Sequence, residues 1–139
     1  MKSAWAALYD LWSKDETLVA LLAEDAAGDP AIYPYMREDV QAVGDFPMIT
    51  TPGVSGEDRA NLTQGDVEIS TWITVLTSAS DPDGALHSID EAMLDAAADT
   101  MESAHFFDGV RISVRTLGMR EINESDRLRR RRIWTVGVA

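Results

Sequence analysis

The chain has no cysteine, and that one absence removes disulfides, thiolate metal sites and cysteine nucleophiles together. Histidine is almost as scarce. His87 and His105 stand 18 positions apart with no third ligand at a diagnostic spacing, so no metal site is expected. No run approaches the roughly 18 apolar residues of a membrane span. The opening Ala4 to Leu8 stretch is cut short by Asp10 and Lys14 without a small-residue cleavage site, so no signal peptide is expected and the protein reads as soluble. Glycines form neither GxGxxG nor GxxxxGK[ST], and GxSxG is missing, which leaves no phosphate cradle and no nucleophile elbow. Asp81-Pro82-Asp83-Gly84 starts like a calcium loop, but the later ligands do not follow, and it reads as a turn. No cofactor and no enzymatic activity are expected.

Basic residues are also rare until late in the chain. Residues 1 to 108 hold 4 basic and 21 acidic side chains, a net of -17, whereas residues 109 to 139 hold 8 and 3, a net of +5. The overall charge of -12 disfavours general DNA affinity, because phosphate neutralisation supplies most non-specific binding. Such a split is also what head-to-tail attraction between subunits requires.

What is present fits one domain: 139 residues bury roughly two thirds of their unfolded surface and fold without staples. Trp5, Leu8, Leu11 and Trp12 lie at helical spacing behind Ser3 as N-cap, and Asp15 caps a second short helix that carries Leu18, Leu21 and Leu22 and ends near Glu24. Residues 31 to 36 and 46 to 51 read as short strands confined by Pro34 and Pro47 to sheet edges or strand starts. From Val67 to Thr77 the chain alternates, with Val67, Ile69, Thr71, Ile73 and Val75 on one face. Trp72 and Leu76 on the other face predict that it too is covered, by a helix or a neighbouring subunit. A long helix follows, with Leu86, Ile89, Met93, Ala97 and Met101 on its stripe and Asp90, Glu91, Asp95, Asp99 and Glu102 away from it. Two strands, from Val110 and from Arg127, close the chain as a hairpin around Asn123 to Asp126. The predicted fold is α+β: an antiparallel or mixed sheet of about 4 to 5 strands with N-terminal helices and one long helix on one face.

Two features are candidates for function. Residues 54 to 66 have almost nothing to bury and read as an exposed loop or arm, with Glu57, Asp58, Arg59, Asn61 and Gln64 as contacts to a neighbour or tail tube. The run Arg129, Arg130, Arg131 and Arg132 enters a strand, so alternation puts Arg130 and Arg132 with Leu128, Trp134 and Val136, and Arg129 and Arg131 with Ile133 and Thr135. The arginine fork suits bidentate pairing with carboxylates. One pair is therefore a candidate for meeting Asp90, Glu91, Asp95 or Asp99 of an adjacent subunit; pairing within the chain and contact with DNA are the alternatives. Carboxylates on an exposed helix face are otherwise simply solvated, since acid–base work needs a cleft and shifted pKa values.

An N-terminal helix, then Leu18-Val19-Ala20-Leu21-Leu22, Ile32-Tyr33-Pro34 and Phe46-Pro47-Met48-Ile49, followed by a long alternating strand, a helix and a hairpin ending in a basic-to-aromatic strand, resembles the tail terminators of long-tailed bacteriophages and the tail-completion proteins of gene transfer agents. The order of motifs holds over nearly the whole chain, although Ala23 to Pro30 is longer than the compact leucine-glycine turn common there. The resemblance implies a structural virion protein of the tail's neck region, assembled in the host cytoplasm. Its subunits form a ring, typically hexameric, that caps the tail tube, stops its elongation and joins it to the head. Implied partners are other copies of itself, the tail tube protein and the head–tail connector or stopper, with DNA passing through the lumen without specific binding and no membrane involved. A connector, stopper or tail-tube-like ring subunit is the alternative within the same particle; a small ligand- or nucleic-acid-binding domain is the alternative outside it.

Overall fold

The computed structural model describes residues 3–35, 43–51, 66–123 and 126–139. Helix α1 (Ala4–Ser13) starts where the Ser3 hydroxyl accepts from the Ala6 N–H, and α2 (Glu16–Val19) where the Asp15 carboxylate accepts from Leu18 N–H at 2.9 Å. Helix α2 stops short of Glu24: Leu21 N–H turns back to the Leu18 carbonyl, and Ala23 N–H goes to Pro47 instead of continuing the helix. The following turn is held by the Asp25 carboxylate, which accepts from the N–H groups of Ala27 and Asp29, and it uses Gly28 at φ +85°, a conformation that costs glycine little.

Strands β1 (Ile32–Tyr33), β2 (Met48–Thr50), β3 (Val67–Leu76), β4 (Phe106–Phe107), β5 (Val110–Asn123) and β6 (Arg127–Val138) form one sheet in the order β1-β2-β3-β6-β5-β4. A 3-10 turn (Val43–Asp45) precedes β2. The sheet has six strands, above the predicted 4 to 5, because Phe106 and Phe107 fold back on Val110 and Arg111 after the tight turn at Asp108 and Gly109. It is mixed, since β1 runs parallel to β2 while the other pairs are antiparallel. Both prolines keep their expected places: Pro34 follows the edge strand β1, and Pro47 immediately precedes β2.

Helix α3 (Pro82–Glu102) begins with Asp81 capping Gly84 N–H and Pro82 in the first turn. It packs with α1 and α2 on the face carrying Ile69, Ile73, Val75, Ile112, Val114, Trp134 and Val136. At the centre, Trp134 meets Trp12 edge-on, ring centroids 5.1 Å apart. A smaller cluster of Ala31, Phe46 and Met48, with Tyr33 and Leu76 against it, covers a corner of the opposite face, so Leu76 is partly covered by the chain itself. Met101 leaves the predicted stripe and is 56% exposed, because it lies at the last turn, where α3 runs off the sheet.

Candidate functional site: an aspartate gripped by two arginines

The 14- and 12-residue strands β5 and β6 pair along almost their whole length, and their register decides where the arginine run points. Arg130 stands opposite Glu121 and Ile73, and Arg132 opposite Met119 and Thr71. Directly opposite residues share a face, so both arginines face α3. There they meet Asp90. Arg132 approaches it bidentately, Nε to Oδ1 at 2.5 Å and Nη2 to Oδ2 at 2.8 Å, and Arg130 Nη1 reaches Oδ2 at 2.9 Å. Arg130 also donates to the Glu121 carboxylate, through Nε at 3.1 Å and through Nη2. The Asp90 side chain is 4% exposed and those of Arg130 and Arg132 are 12% and 13%, so this is a buried network.

Burial alone pushes the Asp90 carboxyl up, but hydrogen bonds and charge from Arg132, then Arg130, outweigh it and hold the group below the ordinary carboxylate value. Burial works against the charge of Arg130 as well, and Glu121 and Asp90 reverse that effect and raise its pKa. Asp90 and Arg130 are therefore both charged at neutral pH, and the hydrogen-bonding capacity of the network is largely consumed within the fold. What the arrangement can do is fasten the hairpin to α3.

Asp90 is the residue that sequence reasoning misplaced: it is buried, not on the solvated outer face. A signal was available, for Asp90 lies four residues after Leu86 and three before Met93, on the margin of the apolar stripe. Glu121 was missed because its role depends on register across a bulge between Thr116 and Gly118. Glu91, Asp95 and Asp99 are exposed as predicted; Glu91 faces His87 at 3.7 Å, both well solvated. Arg131 lies on the far face of the sheet, donates to Ser70 Oγ at 3.0 Å and has its guanidinium carbon 5.9 Å from the Trp72 ring centroid. Arg129, half-buried on that face, is likewise engaged. Glu57, Asp58, Arg59, Asn61 and Gln64 lie outside the described residues.

Other chemistry stays thin. His105 approaches Asp10 at 3.7 Å, and among the described residues no group of three potential ligands could hold a metal ion. An open apolar groove of about 270 Å³ runs between α3 (Leu94, Ala97, Met101) and the Val114 and Thr116 edge, without convergent polar groups that would orient a small ligand.

No family model matches the chain, and no curated protein matches it. Among solved structures, it is similar to a chain of the virion of a native gene transfer agent particle, with a TM-score of 0.56 and 19% identity over 98% of this chain and 94% of that one. At that identity the likeness shows a shared fold, held from end to end.

Proposed function

We propose that this chain is a structural virion protein, a tail terminator whose copies close into a six-membered ring that caps the tail tube, stops its elongation and joins it to the head connector. The observation that carries the reading is the end-to-end fold match to a gene transfer agent virion chain, which agrees with the order of motifs along the sequence. A chain that spans the whole of a virion component is suited to the same kind of work, which needs complementary surfaces and no catalysis.

The buried network narrows the charged contacts between copies. Arg130 and Arg132 are satisfied within the chain by Asp90, which leaves the exposed Glu91, Asp95 and Asp99 as carboxylates for a neighbour, and Arg129 and Arg131 on the far face of the sheet as basic groups near one. The arm residues Glu57, Asp58, Arg59, Asn61 and Gln64 are proposed to reach the tail tube or the adjacent copy. The partners are other copies of the chain, the tail tube protein and the connector or stopper, with DNA passing through an acidic lumen in the neck of the virion.

Electron microscopy of particles from a strain lacking the gene tests the reading. A terminator's loss leaves tails of uncontrolled length without attached heads. Normal-length tails that merely fail to join heads indicate a connector or stopper instead, and intact particles rule out all of these roles.

A further inference from the structure

The two ends of α3 differ in a way its packing does not explain. At its N-terminal end an apolar pocket of about 100 Å³ opens to solvent, lined by Phe46, Pro47, Val75, Leu76, Ala79 and Ala85. Just past its C-terminal end stands Phe106, 59% exposed on the two-residue strand β4 while its neighbour Phe107 packs against the core. A 21-residue helix separates these features by roughly 30 Å. One molecule cannot bring them together; two copies arranged head to tail can.

Charge favours the same pairing. Arg111 is paired in register with Phe106 and exposed beside it. Around the pocket stand Asp81 and Asp83 at the start of α3, and Asp126, whose carbonyl accepts from Thr77 N–H. Arg127 lies over the Phe46 ring, its guanidinium carbon 5.2 Å from the centroid, and is answered by Asp126 at 3.7 Å. Three carboxylates against that one buried guanidinium leave the rim acidic, facing a basic flank on the apolar knob. A closed cavity of about 150 Å³ holds a benzene molecule, so an open pocket of about 100 Å³ takes most of one phenyl ring.

We infer that Phe106 of one copy seats in the Phe46–Ala85 pocket of the next, with Arg111 against the acidic rim, and that this contact is repeated from copy to copy. A knob at one end and its pocket at the other make a heterologous contact, which closes into a ring if the rotation between copies allows. The inference rests on the ring reading and names the contact that builds it.

The absence of cysteine makes a direct test possible. Purified A104C and A79C proteins, both of which keep Phe106, are mixed at high concentration and treated with a short bis-maleimide; Ala104 is exposed two residues before the knob. The expected product is a dimer containing one chain of each kind, with little product from either protein alone; the double variant A104C/A79C gives a ladder. A104C–A104C dimers as the main product, or no product above that of cysteines placed elsewhere on the surface, overturn the contact. In parallel, F106D and A79W are each expected to keep the wild-type melting temperature and to lower self-association roughly 30-fold, the range of an aromatic anchor. Unchanged association in both variants also overturns it. If the gene deletion leaves tails normal, the ring reading fails, and the cross-linking result still decides the contact on its own.

Discussion

Trp134 and Asp90 show two ways of burying a polar group under α3. Trp134 donates its indole N–H to Thr71 Oγ1 at 2.8 Å, both residues fully enclosed. Thr71→Val keeps the shape and removes the acceptor, so the indole loses its partner, at a cost of about 1–3 kcal/mol; urea unfolding followed by tryptophan fluorescence reads this as a lower midpoint at unchanged slope. Asp90 is charged, and removing it leaves two buried arginines with only Glu121 to answer one of them. Asp90→Ala is expected to cost about 3–5 kcal/mol, the range for breaking a buried ion pair from one side. The pH dependence has a defined sign. The folded-state pKa of Asp90 is lowered, so its contribution is complete above the unfolded value of about 3.9 and is lost as pH falls through the lower folded value. Asp90→Asn therefore flattens the acid limb of the stability curve below about pH 4, and an acid limb as steep as the wild type's counts against the network.

The hairpin and α3 are joined by a second device at the sheet's edge. Beyond Arg111 no described strand pairs with the outer side of β5, and the Val114 N–H there donates to Thr100 Oγ1 at 3.0 Å, whose own hydroxyl donates to the Ala97 carbonyl at 2.7 Å. Thr100→Val orphans the Val114 amide while leaving β3 and its pairs intact. Hydrogen exchange at Val114 is expected to accelerate about tenfold or more, as one backbone bond of roughly 1–3 kcal/mol is lost, with the β3 amides unchanged. Much of this architecture was legible in the residues themselves. Ser3 and Asp15 marked two helix starts, and the alternation from Val67 gave β3 its core face, because capping and period-2 patterning are local. Glu121 and Phe106 were not legible, since the first depends on register across a bulge and the second on a two-residue strand too short to carry a pattern. Asp90 stood between: a pairing with the arginine run was expected, but across subunits and on an outer face, whereas the fold brings Arg130 and Arg132, 40 and 42 positions away, onto it within the chain.

Charge governs how whole subunits meet, and two effects oppose each other. Each copy carries -12, so copies repel at long range, while acidic and basic groups brought into contact attract at short range. The screening length decides which wins. At about 0.01 M salt it is roughly 30 Å, comparable to a subunit, and net repulsion reaches across the gap. At about 0.1 M it is roughly 10 Å, so the net charges are largely hidden while groups in contact, such as Arg111 against Asp81, Asp83 and Asp126 in the proposed pairing, still feel one another. At about 1 M it is near 3 Å, and the contact charges weaken as well. Self-association measured by sedimentation is therefore expected to pass through a maximum near 0.1 M salt. The melting temperature of the subunit is expected to change far less over the same range, because the Asp90 network is buried and screened little. Association that rises steadily to 1 M salt would mean that apolar burial alone drives assembly and that the charge split between the two parts of the chain plays no part in how copies recognise each other.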